Sequence, residues 1–130
     1  MQKRYIEQLK EINKNAYAPY SNFKVSSVLV TKSGKVFTGT NVENLSYGAT
    51  MCAERVAIFN AVSSGEMDFD TIYLYSTNSN GEHNITPPCG LCRQVMAEFA
   101  INMNVVMVSD EKIVTQTVKE LLPLAFDNQL

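Results

Sequence analysis

The sequence has no tryptophan, a single histidine and no run of basic residues. Its 11 lysines and arginines stand against 13 aspartates and glutamates, a net charge of −2. Such a balance offers no electrostatic footprint for a nucleic-acid backbone, so nucleic acid is not an expected partner. No apolar stretch approaches the ~18 residues that a membrane-spanning helix needs, so no membrane is expected either. The first eight residues hold a basic pair but lack the apolar centre of a secretory signal, which makes the cytoplasm the expected compartment. Internal repeats, low-complexity tracts and linkers are also lacking, and residues 1–130 are expected to form a single domain. The apolar fraction of 45% is that of an ordinary globular chain, which excludes disorder for most of it.

What is present is an alternation of helical and extended patterns. Ile6, Leu9 and Ile12 recur at helical spacing and predict a helix over 3–15, broken by the segment around Pro19. Phe23, Val25, Ser27 and Leu29 alternate as a strand that runs to Thr31, and Ser33-Gly34 turns it into a second strand over 35–40. A helix over 52–63 ends at Gly65; its apolar residues go nearly all the way round, which predicts burial on most sides. A strand over 71–76, a polar loop over 77–87, a helix over 90–100 and a strand over 104–108 follow. The last element is a helix over 115–122, stopped by Pro123. Strands alternating with helices in the second half point to a layered α/β domain.

The three cysteines all fall where helices begin. Cys52 opens one helix, and Cys89 and Cys92 lie on the first turn of another. The positive end of a helix favours thiolate over thiol. Cys89 and Cys92, three apart, can point their sulfurs to one side, and Cys52 can supply a third. Three protein ligands with one open position describe a catalytic zinc site. Glu54 is about 200° round the helix from Cys52, so it is poorly placed as a ligand of the same metal and well placed beside the open position, where general acid–base work is done. Arg55 follows, and its guanidinium could offset the negative charge of three thiolates. Taken alone, Cys89-Gly90-Leu91-Cys92 also suits a dithiol redox protein, and a non-catalytic zinc module is a further alternative. His83 sits in a polar loop that is expected to be solvated, and it is set aside as a ligand.

Thr50-Met51-Cys52-Ala53-Glu54-Arg55, together with Pro88-Cys89-Gly90-Leu91-Cys92-Arg93-Gln94, resembles the zinc-dependent cytidine deaminase family, in its small homotetrameric nucleoside-acting branch. Tyr20-Ser21-Asn22-Phe23-Lys24-Val25, Asn41-Val42-Glu43-Asn44 and Leu121-Leu122-Pro123-Leu124-Ala125-Phe126 resemble further motifs of that family, in the same order. The resemblance implies a three-layer α/β/α domain with a mixed, roughly five-stranded sheet and one Zn²⁺ per subunit. It implies hydrolysis of cytidine and 2′-deoxycytidine to the uracil nucleosides and ammonia in pyrimidine salvage. An aminonucleoside of the blasticidin-S type is the alternative substrate. Glu54 would be the catalytic acid–base and Cys52, Cys89 and Cys92 the metal ligands. Phe23 would pack on the pyrimidine, the Ala53 N–H would hold its O2, and Asn41 and Glu43 would bind the ribose. Tyr47 and Phe126 would enter neighbouring active sites of a homotetramer, in which the apolar faces of helix 52–63 left uncovered by one chain would be buried. Two departures stand out: Ser26-Ser27-Val28 replaces the family's usual Gly-Ala-Ala, which puts strand packing in question, and Pro87 replaces its usual serine.

Overall fold

The computed structural model describes residues 2–127. In chain order the elements are α1 (Gln2–Asn13), β1 (Lys24–Thr31), β2 (Val36–Thr40), α2 (Ala53–Ser63), β3 (Phe69–Thr77), α3 (Gly90–Ala100), β4 (Asn104–Val108), β5 (Ile113–Thr117) and α4 (Val118–Leu121). The strands form one mixed sheet in the order β2-β1-β3-β4-β5. Only β3 and β4 are parallel, joined through α3 as such a pair requires; the other three pairings are antiparallel.

Alternation sorts the strand residues onto two faces. Leu29, Ile72, Leu74, Val105 and Met107 pack with Ala57, Ile58 and Ala61 of α2, Cys92 and Met96 of α3 and Val118 of α4. Val28, Val30, Tyr73, Tyr75, Val106 and Val108 face Tyr5 and Leu9 of α1. The sheet is thus the middle of three layers, as expected. Because β1 is covered on both sides, six successive residues from Ser26 to Thr31 are buried.

The replacements at Ser26 and Ser27 find partners. Ser26 Oγ donates to the Leu9 carbonyl of α1 at 2.8 Å, and Ser27 Oγ donates to the Ala53 carbonyl of α2 at 2.7 Å. Two buried hydroxyls therefore reach helix backbone on opposite faces, and the packing is not in conflict with them. Gly39 lets α2 lie against β2: a Cβ there would stand 2.4 Å from the Ala53 carbonyl oxygen and 2.6 Å from the Ala57 nitrogen.

Two expectations, those for the final helix and for His83, need correction. The final helix does not span 115–122: Ile113–Thr117 is an edge strand antiparallel to β4, and only Val118–Leu121 is helical. This strand is the fifth of the sheet. Helix α2 is covered on most sides, as its apolar pattern predicts: Ala53, Glu54, Ala57, Ile58 and Ala61 are buried, while Phe59 stays 44% exposed. His83 is not simply solvated, since it stacks on Tyr75 and its Nδ1 meets Asp110 at 2.8 Å. No helix among the described residues is long and apolar enough to cross a membrane.

Candidate metal centre and cavity

The layers bring the starts of α2 and α3 side by side. Cys52 and Cys89 are the residues that cap the two helices, both in extended conformation and both without a side-chain capping bond. Their side chains are therefore free to project from the helix ends. Cys92, one turn into α3, is fully buried. The Cys52 and Cys89 sulfurs are 3.7 Å apart and those of Cys89 and Cys92 3.4 Å apart. All three lie within 4.8 Å of one another, the one such group of potential ligands among the described residues. Zn–S bonds of about 2.3 Å at tetrahedral angles need sulfurs roughly 3.8 Å apart. The donor set is of the right kind, number and spacing for one zinc ion per chain, with a fourth position left open.

Charge around the cluster is arranged by the neighbours. Arg55 Nη2 donates to Cys52 Sγ at 3.4 Å. Donation from the Cys92 thiol, then from Arg55 and Cys89, outweighs burial and holds Cys52 at about 5. That same bond to Cys52, reinforced by burial, pushes Cys92 up. The hydrogen bonds between the sulfurs set this order, rather than the helix end alone. Burial works against the Arg55 charge, but its bonds to Cys52 and Cys92 prevail and its pKa is raised. Arg55 Nε is the one side-chain nitrogen or oxygen buried without a partner among the described residues.

Glu54 is 5% exposed. Burial, only partly offset by the bond from its own backbone N–H, lifts its carboxyl to about 7. A buried carboxyl poised near neutrality beside a metal centre can both take and give a proton.

A cavity of about 270 Å³ opens beside the cluster, and Phe23, Asn41, Cys52, Ala53, Glu54 and Cys89 are on its wall. Thr86 and Pro87 complete it on the α3 side. None of the described residues lining it is a lysine or arginine. The polar residues named from the sequence divide here. Asn41 reaches the cavity, but its amide is partly committed: Oδ1 accepts the Val25 N–H at 2.9 Å and Nδ2 donates to the Phe23 carbonyl at 2.8 Å. One Nδ2 hydrogen remains for a ligand. Asn41 thereby also fixes the backbone beneath Phe23. Glu43 lines an adjoining groove with Tyr20, Ser21 and Tyr47. Its carboxylate accepts from the Ser21 hydroxyl and from the Tyr20 and Ser21 N–H groups, at 3.0 and 3.2 Å for the latter two. The Ser21 bond, more than the backbone ones, holds its pKa below the ordinary carboxylate value.

Within one chain Tyr47 is 89% exposed, and Phe126, at 74%, does not reach the cavity. The role of Ser27, whose hydroxyl grips the carbonyl of the first residue of α2, is not legible in the sequence motif, which marks it only as part of a departure from the family pattern. The one available signal was the pair of adjacent serines on a strand too apolar to leave them without partners.

Residues 1–108 match the family model described as the cytidine and deoxycytidylate deaminase zinc-binding region. A cytidine deaminase of Halalkalibacterium halodurans is 42% identical over 123 residues, 93% of this chain and 90% of the relative. A blasticidin-S deaminase of Bacillus cereus is 34% identical over 106 residues, 78% and 76% of the two chains. The crystal structure of cytidine deaminase from Burkholderia pseudomallei superposes with a TM-score of 0.88 at 42% identity, covering 97% of this chain and 99% of that one.

Proposed function

The chain belongs to the cytidine and deoxycytidylate deaminase zinc-binding family, and from that premise we propose that it hydrolyses the 4-amino group of cytidine and 2′-deoxycytidine, releasing the uracil nucleosides and ammonia. The observation that carries this reading is the buried Glu54 carboxyl on the wall of the cavity that Cys52 and Cys89 also line. The absence of a cation on the described lining favours a nucleoside over a nucleotide, whose phosphate would need one.

Cys52, Cys89 and Cys92 would hold a zinc ion, which when bound would supply the acidity that makes water a nucleophile at neutral pH. Glu54 takes one proton from the attacking water and hands it to N3 of the pyrimidine as the C4–O bond forms; it then takes the second proton from the resulting C4 hydroxyl and gives it to the amine as the C4–N bond breaks, leaving the uracil carbonyl and ammonia. Phe23 packs on the pyrimidine ring, and the Ala53 N–H, at an uncapped helix start, holds O2. The free hydrogen of Asn41 and the carboxylate of Glu43 take the ribose hydroxyls, Glu43 by exchanging its Ser21 partner. Arg55 offsets the charge of the three sulfurs.

The assembly in this reading is a homotetramer of single catalytic domains. Tyr47 and Phe126, together with Leu124 at 95% exposure, are large apolar side chains that one chain leaves in water. A second copy that takes them up removes that cost and completes the cavity. Three cysteines required as free thiolates suit a reducing compartment such as the cytoplasm, and pyrimidine salvage is the process in which such a reaction is used. The test is loss of ultraviolet absorbance with cytidine, deoxycytidine, deoxycytidylate, cytosine and blasticidin S in parallel. Turnover of the two nucleosides well above the rest is the expected result; preference for blasticidin S, or for deoxycytidylate, would replace the substrate named here.

A further inference from the structure

The two residues after Cys92 have side chains turned away from the cavity chemistry and engaged with the far end of the chain. Arg93 Nε donates to the Pro88 carbonyl at 2.7 Å and Nη1 to the Leu121 carbonyl at 2.8 Å. Pro88 immediately precedes Cys89, and Leu121 is the last residue of α4. One planar guanidinium thus bridges the turn that presents a metal ligand and the end of the final helix, a task for a fork of donors rather than a point charge. Gln94 meets the backbone of Phe126 twice: Nε2 donates to its carbonyl at 3.3 Å, and the Phe126 N–H donates to Oε1 at 3.2 Å. The primary amide makes both halves of a two-bond ring, which fixes direction as well as distance.

The segment held in this way has little apolar anchorage of its own. α4 is four residues long; Val118 at its start is fully buried, whereas Leu124 and Phe126 are 95% and 74% exposed. The direction in which the Phe126 side chain leaves the chain is therefore set by the first turns of α3, which also carry Cys89 and Cys92.

We propose that Arg93 and Gln94 are positioning residues that couple the metal-binding turn of a chain to its C-terminal segment, so that metal binding in one subunit sets the place of the Phe126 it offers to its neighbour. This rests on the assignment of Phe126 to a neighbouring cavity made above. The coupling follows from rigidity. A metal ion would fix the distance between the Cys89 and Cys92 sulfurs and with it the Pro88 carbonyl, Arg93 carries that position to Leu121, and Gln94 holds Phe126, five residues beyond.

Hydrogen–deuterium exchange over residues 118–127, in zinc-loaded and chelator-stripped reduced protein, tests it directly. Stripping should speed exchange of the Phe126 amide at least tenfold while α1 amides stay protected. In zinc-loaded Gln94→Ala that amide should already exchange at the stripped rate. In the same variant KM for cytidine should rise about tenfold with kcat and zinc content near wild type, a split that simple loss of stability does not produce. Gln94→Glu keeps the size and one bond but turns an acceptor toward the Phe126 carbonyl, and should behave like the alanine. Arg93→Lys should show an intermediate tail. If stripping loosens α1 equally, the zinc-loaded variants decide: unchanged tail exchange and unchanged KM in both Gln94 variants overturn the coupling. Phe126→Ala separates the two ideas. An unchanged KM there rejects the Phe126 assignment, and with it the cross-subunit consequence, whereas a raised KM with zinc-independent tail exchange rejects the coupling alone.

Discussion

On the α1 side of the sheet, Tyr5 and Leu9 close over Val28, Val30, Tyr73 and Tyr75, with the Tyr5 and Tyr73 rings 5.2 Å apart. The polar groups there are paired off: Ser26 with Leu9, Asn13 with Thr77 and with the Lys24 carbonyl, Asp110 with both Lys10 and His83. On the other side three helices cover the sheet, yet the place where α2 and α3 begin holds a buried carboxyl lifted to about 7, three cysteine sulfurs in contact and a guanidinium nitrogen without a partner among the described residues. The first face is settled as it stands; the second is arranged for a metal and a ligand. The polar strain is concentrated at the starts of α2 and α3, while the core beneath them is ordinary Leu, Ile, Val and Met packing, which is where a rigid support for chemistry is needed.

A matched pair of substitutions should separate the faces most sharply. Glu54→Gln removes the proposed proton carrier and keeps its size; kcat is expected to fall about 10²–10⁴-fold, with zinc and thermal stability retained. Leu9→Ala, on the α1 side, should cost about 2–5 kcal/mol of stability with kcat per folded chain unchanged. Turnover, zinc stoichiometry and denaturation midpoints measured together are the check. Near-normal turnover by zinc-loaded Glu54→Gln would remove Glu54 from the chemistry.

Replacing Cys52, Cys89 or Cys92 singly by alanine should nearly abolish zinc binding, because a three-ligand site needs its full set. The α1 amides should remain protected from exchange, since nothing on that face touches the sulfurs. A variant that kept full zinc and activity would show that its cysteine is not a ligand.

Next in size is Asn41→Asp. It keeps the acceptor for the Val25 N–H and loses the donor to the Phe23 carbonyl and to a ligand. A buried polar partner left without its bond costs about 1–3 kcal/mol, so KM for cytidine should rise at least several-fold with zinc content unchanged. An unaltered KM would reduce Asn41 to a brace for the strand.

How far these features can be read from the sequence depends on the range of the interactions that make them. The helix over 90–100 and the strand over 104–108 are where local periodicity places them. The metal cluster was legible because Cys89 and Cys92 are three apart and Cys52 heads a second helix. β5 was not: Ile113–Thr117 is an edge strand with little burial, so it lacks the alternation that marks a half-buried one, and Leu121-Leu122 before Pro123 drew the helix backward. Its β-branched run pointed to a strand, and the capping box of Thr117 and Glu120 marks where the helix can begin. The ties of Ser26 to Leu9 and Ser27 to Ala53 span 17 and 26 residues, and Gln94 to Phe126 spans 32. No local pattern carries such pairings.

The smallest expected effect is the most specific to the comparison of the two faces. Ser26 and Ser27 are neighbours on one strand, both fully buried, and each gives its hydroxyl to a helix carbonyl at nearly the same distance, 2.8 and 2.7 Å. Replaced by alanine, each should lose about 1 kcal/mol, the usual worth of one such bond. Their consequences for function should differ, because the carbonyls belong to different helices. The Leu9 carbonyl lies inside α1, remote from the cavity lining. The Ala53 carbonyl belongs to the same peptide group as the Glu54 N–H, and Ala53 itself is on the cavity wall. Without the Ser27 hydroxyl that peptide loses its tie to β1 and keeps its bonds within α2 and the bond from the Glu54 N–H to its own carboxyl. Small losses of alignment at a reacting group are felt in rate. Ser27→Ala should therefore lower kcat several-fold with KM and zinc little changed, Ser27→Thr should restore it by returning the hydroxyl, and Ser26→Ala should leave kcat untouched. Equal kinetics for the two alanine variants, at equal loss of stability, would mean that both serines serve the fold alone.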